Sequence, residues 1–284
     1  MKSAMKNKLN QHGLSRPIPA AVKLEVRQRC GFGCVSCGRG IIQYDHFDPE
    51  YADAMEHNPK GITLLCGSCH DEKKHGLLTN AQVAKMDADP YCMRNENAFG
   101  AFRLTGDQPI VLLGNSEFRQ CKIILEVAGE KVIWFTKPRQ ADEGFYLNAR
   151  IRDETGKVIL EIRENEWIIG DDLWDVNTSG NGIVIRSRAR NHSLVLRFLP
   201  PETVKIERVS IVHKGVSVRI EKDGRIIDAN NNTFSNCAAS NCHTGIRFRA
   251  AGSIALGCGR PRSLDTWIRL RLSSALVPVK TLAS

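Results

Sequence analysis

Two cysteine pairs, Cys34-x2-Cys37 and Cys66-x2-Cys69, stand 28 residues apart and constrain this chain more than any other feature. Two intervening residues let both thiolates of a pair point at one centre, so each pair clamps one side of a tetrahedral ion. Two such knuckles make a four-thiolate site closed to water and therefore structural, with Zn2+ the expected metal. The free energy of binding such an ion, about 10–16 kcal/mol in small zinc peptides, contributes directly to folding the segment it closes. Five of the ten cysteines fall between Cys30 and Cys69, which fits a local metal site better than a disulfide framework. Cys30 lies too early to complete either pair and reads as a buried thiol.

At 284 residues the chain has room for one large domain or two ordinary ones. The best apolar run, Pro109-Ile-Val-Leu-Leu113, is far short of the roughly 20 residues that span a membrane. The basic first residues are followed by no apolar stretch, so no signal peptide is expected and the chain reads as cytoplasmic. A net charge of +9 favours a polyanionic partner. Residues 1–30 carry seven Lys/Arg (Lys2, Lys6, Lys8, Arg16, Lys23, Arg27, Arg29) against Glu25 alone. They read either as a phosphate-contacting segment or as a solubilising tail.

Texture divides the chain in three. Residues 1–20 end in Arg16-Pro-Ile-Pro19 and are expected as an extended basic arm. Residues 21–95 hold the knuckles between two short helical patterns, Ala20 to Arg29 and a second one capped by Thr79 or Asn80 and ended by Asp89-Pro90. From about residue 100 to 284 the period changes to two, as in Val158 to Arg163, Leu194-x-Leu-x-Phe198 and Val216-x-Val-x-Ile220, with turns at Gly156, Ser179–Gly182 and Asp223-Gly224. Strands at this spacing predict an all-β domain, a sandwich, barrel or solenoid, and the Asn-rich run at 230–232 leans toward the solenoid. The fold class expected is therefore α+β, a small zinc-stapled domain followed by a larger all-β one.

Between the knuckles lie residues that a closed zinc site does not require. Tyr44-Asp45-His46 follows the apolar Ile41-Ile42, Ile62-Thr-Leu-Leu65 leads into the second knuckle, and His70 follows Cys69 at the start of a helix running through Lys74. The order is knuckle, strand, strand, knuckle, helix. Together Arg29-Cys-Gly-Phe-Gly-Cys-Val-Ser-Cys-Gly38, Tyr44-Asp-His46 and Leu64-Leu-Cys-Gly-Ser-Cys-His-Asp71 resemble the HNH endonuclease family in its four-cysteine form, over residues 21 to about 80.

That resemblance implies a ββα-metal active site that hydrolyses phosphodiester bonds in DNA, with RNA left open, using one Mg2+ or Mn2+ ion. It implies His46 as the general base and Asp45 and His70 as ligands of the catalytic ion. The residue chemistry agrees. A neutral imidazole near its ordinary pKa of about 6.5 suits proton abstraction, and a carboxylate with one imidazole leaves most of an octahedral ion to water and phosphate. One position departs from the family: its central Asn, five residues before the second knuckle, is here Gly61. That leaves His46 to be held by backbone, by Asn58, or by nothing.

Plainer readings stand beside these. His46 can be a structural histidine of the hairpin and His70 a helix-start residue. His57 sits in a polar loop and is expected to be exposed, as is His75, while Lys73 and Lys74 face phosphates or only solvent. Cys237-x4-Cys242-His243 with Cys258 fits no clean knuckle and reads as core thiols. The alternating arginines of Ile185-Arg-Ser-Arg-Ala-Arg190 can make one sheet face basic, either to hold a nucleic-acid backbone or only as a solubilising outer face. The Gly170-Asp-Asp172 turn, flanked by Trp167 and Trp174-Asp175, reads as a ligand lip or, more plainly, a packed corner. The sequence thus points to an HNH-type endonuclease of restriction, defence or mobile-element systems. The alternatives are a catalytically impaired nucleic-acid-binding protein and an interaction module stabilised by zinc, with the β domain open to homodimerisation or a partner protein.

Overall fold

The structure is a computed structural model that describes residues 9–101, 109–137, 145–170, 173–179, 181–188, 192–249 and 254–256. Lys2, Lys6, Lys8, the Asp171-Asp172 turn, Arg190, Cys258 and the stretch from Trp267 to Leu272 lie outside the described residues. The chain is mixed α and β and mostly β. It forms two compact units, Met1–Gly100 with Gly170–Ser179, and Ala101–Ile169 with Gly180–Ser284. No helix among the described residues is long and apolar enough to cross a membrane.

In the first unit, helix α1 (Ala20–Arg29) follows Pro19, whose fixed φ suits a helix start, and ends where Gly31 turns through φ +68°. Strand β1 (Ile42–His46) pairs antiparallel with β2 (Ile62–Cys66), placing Asp45 opposite Thr63 and His46 opposite Ile62. Every residue of β2 is buried, and α2 (Gly67–Lys74) starts directly from it. Helix α3 (Asn80–Ala88) opens with a reciprocal capping box between Thr79 and Gln82, and α4 (Tyr91–Asn95) follows. Val26, Val35, Ile62, Leu64, Leu65 and Val83, all fully buried, pack with Cys30 and Cys34 into one core. Burial of each such side chain stabilises by about 1.5–3 kcal/mol, a modest core for a segment of this size, which is where a bound ion would matter.

Two arginines of α1 tie the unit together. Arg29 bonds the carbonyls of Pro59 (3.1 Å) and Ile62 (2.7 Å) and pairs with Asp87 on α3. Arg27 forks onto Asp175 through Nε–Oδ1 (2.7 Å) and Nη2–Oδ2 (3.0 Å), and its Nη1 donates to the Tyr44 hydroxyl (2.6 Å). Both partners of the fork are buried. The strand Asp175–Ser179 thus belongs to the first unit although it comes from the middle of the expected β domain. The Gln28 amide donates to the Trp174 carbonyl (2.7 Å) and the Thr178 hydroxyl to the Gly40 carbonyl.

The described part of the N-terminal arm is not extended. Leu9 bridges Ser15 across a turn, Asn10 accepts from the backbone of His12 and Leu14, and its amide donates to the carbonyls of Tyr51 (2.7 Å) and Ala54 (2.6 Å). An asparagine able to satisfy four backbone groups overrides the featureless local sequence.

The second unit has two sheets. One runs in the order Ile254–Leu256, Thr244–Phe248, Ile123–Val127, Glu130–Thr136, Tyr146–Arg152, Val158–Arg163, Glu166–Gly170. The other runs Gly182–Arg186, Leu194–Leu199, Thr203–His213, Val216–Ile220, Ile226–Asp228, Thr233–Phe234, with Ile110–Leu113 alongside Thr203–His213. Their inner faces meet: Phe234 of one packs edge-on against Phe248 of the other, and Gly245 leaves no room for a Cβ beside the Phe118 ring. The Asn-rich run is no solenoid rung. The Asp228 carboxylate accepts from the backbone N–H groups of Asn230 and Asn232, closing a hairpin.

Candidate functional site

The sulfur atoms of Cys34, Cys37, Cys66 and Cys69 all lie within 4.8 Å of one another, and this is the one such group among the described residues. A metal–sulfur bond of about 2.3 Å in a regular tetrahedron requires sulfurs about 3.8 Å apart. Cys37 Sγ lies 3.6 Å from Cys66 Sγ and 3.9 Å from Cys69 Sγ, so the cluster fits a metal ion such as zinc. The first knuckle is a tight turn in which Cys34 N–H bonds Arg39 O (2.9 Å) and Gly38 N–H bonds Cys34 O (2.9 Å). Gly38 supplies the φ of +79° that closes it. The second knuckle is the β2–α2 junction itself. Burial pushes the Cys34 thiol up and the Cys69 thiol to about 11, whereas at Cys66 burial is outweighed by hydrogen bonds from Cys69, Cys37 and Cys34, which bring the thiol down. Cys30 is fully buried, its thiol near Thr63 and Asp87, and burial raises it to about 12. It is no part of the cluster. Cys237 and Cys242 are buried in the second unit, and their thiols bond the carbonyls of Ser235 and Ser240.

A cleft of about 460 Å³ on the same unit is lined by Asp45, His46 and His70, together with Arg16, Tyr51, Lys73 and Lys74. The β1–β2 pairing and the helix starting at the second knuckle bring the three sequence-selected residues together, with Asp45 Oδ1 3.5 Å from His70 Nε2. Lys73 Nζ approaches Asp45 Oδ2 to 2.8 Å but off the angle of a hydrogen bond, and donates instead to the His46 carbonyl (3.2 Å). The buried Oδ2 is left with no hydrogen-bond partner. Its positive partner is the Lys73 ammonium, held by charge and not by an aligned hydrogen bond. Lys73, expected at the surface, is mostly buried here, whereas Lys74 is exposed at the rim.

His46 is not left unsupported. Its Nε2 lies 3.1 Å from His57 Nδ1, and His57 Nε2 lies 2.8 Å from the Ser15 carbonyl. A carbonyl only accepts, so His57 Nε2 carries the hydrogen and His57 Nδ1 accepts from His46 Nε2–H. The basic nitrogen of His46 is then Nδ1. Tyr51 packs edge-on against the His46 ring at 5.5 Å. Burial and the neighbouring His57 hold His46 below the usual imidazole range. The expectation that His57 is exposed is therefore corrected: it is half-buried and bridges the N-terminal turn to His46. Asn58 does not reach His46; its side chain accepts from Lys60 N–H (3.0 Å).

Gly61 has a steric reason to be glycine. Its carbonyl accepts from Phe47 N–H (3.0 Å), and a Cβ placed on it would lie 1.9 Å from the Asp48 carbonyl oxygen. No side chain enters at that position without moving the backbone that follows His46. His75 is exposed at the C-cap of α2 and pairs with Asp71. In the sequence Tyr51 goes unmarked, His57 reads only as an exposed loop residue and Arg16 only as part of the basic arm, because all three come from an aperiodic loop and arm. The only signal was their nearness in sequence to polar turn residues. Comparison of the chain with protein-family models, with curated proteins and with solved structures found no match in any of the three.

Proposed function

We propose that this protein is a metal-dependent endonuclease of HNH type that hydrolyses phosphodiester bonds in DNA. The observation that carries the reading is the cleft in which Asp45, His46 and His70 converge, with Asp45 Oδ1 3.5 Å from His70 Nε2. Arg16 and Lys74 at its rim bind the phosphate. His46 Nδ1 takes a proton from the attacking water, while His57 holds the ring through Nε2 and Tyr51 packs against it. Asp45 and His70 are close enough to share one ion with bonds of about 2.0–2.1 Å, and neither needs to move far to do so. Mg2+ or Mn2+ held there supplies positive charge to the phosphate and to the leaving 3′-oxygen. The products are a 5′-phosphate and a 3′-hydroxyl, as in the family the motifs resemble. Zn2+ on the four cysteines keeps the β2–α2 junction fixed and with it the position of His70.

A second reading has its own observation: Lys73 already lies 2.8 Å from Asp45 and competes with a cation for it. In that reading the unit binds nucleic acid through the same cleft without turnover. The two part on nicking of supercoiled plasmid by the zinc-loaded protein with added magnesium or manganese. Metal-dependent nicking that is lost in Asp45→Asn supports the nuclease. DNA binding without nicking under every metal supports the second reading.

A further inference from the structure

The second unit carries its own cleft, of about 540 Å³, on the outer face of the sheet formed by Gly182–Arg186, Leu194–Leu199 and Thr203–His213. Strand alternation turns Val184, Arg186, Arg197 and Lys205 to this face. A bulge adds one more cation. The register passes from Leu196 opposite Ile206 to Val195 opposite Arg208, so Glu207 is the extra residue and Arg208 joins the same face. Lys222, beside the Asp223-Gly224 turn, completes the rim.

Charges in this cleft do not balance. Its two carboxylates are matched already, Glu207 by Arg197 (3.5 Å) and Asp223 by Arg225 (2.6 Å). Among the described residues, Lys205, Arg208 and Lys222 have no carboxylate within ion-pair distance. His192 is wedged between two guanidinium groups, Nε2 3.0 Å from Arg186 Nη2 and Nδ1 3.4 Å from Arg208 Nη1. A neutral imidazole accepts at one nitrogen only, so its other ring nitrogen carries a hydrogen and His192 neutralises neither guanidinium group. Burial and the two arginines hold His192 below the usual imidazole range, so the ring is one more neutral wall, not a further cation. The Arg208 guanidinium with Lys205 and Lys222, without counter-charges in a concave site, matches the oxygens of phosphate.

We propose that this cleft binds the sugar–phosphate backbone of a nucleic acid, giving the second unit a substrate-holding role separate from the cutting cleft. The choice of polymer rests on the nuclease reading; the excess of cations does not. An anionic bilayer is the rival polyanion, but surface-binding elements insert apolar side chains beside their cations. The exposed large apolar residues described in this unit are Ile168 and Leu199, and neither lines the cleft.

The test is fluorescence anisotropy of full-length zinc-loaded protein with a short labelled DNA duplex, without magnesium, across a salt series. The double variant Lys205→Glu/Arg208→Glu is compared with Lys131→Glu/Arg163→Glu, the same change of charge on the other sheet, with thermal melts showing that both fold. The expected result is affinity at least about tenfold weaker in the first variant only, with the salt slope reduced by about two. Equal affinity and slope in the two doubles overturns the proposal, as does a wild-type protein that binds vesicles rich in anionic lipid but no duplex. Binding that depends on residues 205 and 208 without plasmid nicking sinks the nuclease reading alone. Nicking with binding indifferent to these residues sinks this proposal alone.

Discussion

Nε2 of His46 lies 3.1 Å from Nδ1 of His57, and this contact decides which nitrogen of His46 is basic. Because the Ser15 carbonyl fixes the proton on His57 Nε2, the chain from Ser15 to His46 has a single sense. An N-terminal turn thereby positions a residue of the β1–β2 hairpin.

The first prediction concerns pH. Burial and His57 lower the His46 pKa below its ordinary 6.5, so the neutral ring is the form the fold favours. Stability from that preference is present above pH 6.5 and is lost as pH falls through the lower folded value. The acid limb of nicking therefore has its midpoint below 6.5. His57→Ala moves the His46 titration, followed by NMR of the imidazole resonances, upward toward 6.5, and a downward move contradicts the assignment.

Zinc removal is the second. Cys37→Ser takes away one of four sulfurs, and the site, whose ion is worth about 10–16 kcal/mol in short peptides, loses affinity or geometry. Elemental analysis is expected to give one zinc per wild-type chain and markedly less in the variant, with loss of the helical circular-dichroism signal. A variant with full helicity and no zinc would mean that the cluster is not structural.

The third prediction uses the buried fork. Asp175→Ala leaves the Arg27 guanidinium buried with only the Tyr44 hydroxyl, a cost of about 3–5 kcal/mol. Denaturant unfolding is expected to show that loss, while the paired change Arg27→Met/Asp175→Ala recovers much of it. An unchanged midpoint for Asp175→Ala would show that the fork is not formed in solution.

Gly61 gives the fourth. Gly61→Ala drives a methyl into the Asp48 carbonyl and is expected to destabilise by about 1–3 kcal/mol or more. Gly61→Asn, the change that restores the residue of the family pattern, fails for the same reason and does not raise nicking. A folded Gly61→Asn variant with higher activity would mean that the 47–49 backbone yields.

What was legible in the sequence was local. The cysteine spacing, α1, the order of β1, β2 and α2, and the cap at Thr79 each follow from residues within a few positions of one another. The features that escaped are held by contacts across long separations. Asp175 lies 148 positions from Arg27, and His57 acts through a loop without periodicity. The bulge that brings Arg208 onto the basic face depends on pairing with Val195, which alternation alone does not reveal. The Gly61 departure looked like the loss of an orienting side chain. It becomes intelligible only once Asp48 is seen against it.

The central claim is tested most directly by the rate of supercoiled-plasmid nicking by zinc-loaded wild-type protein and His46→Ala, each with and without added magnesium or manganese. The account predicts nicking that requires the added ion and falls at least about a hundredfold in the variant, the low end for loss of a general base. Equal nicking by the two proteins, or none by a folded wild type under any ion, would contradict it.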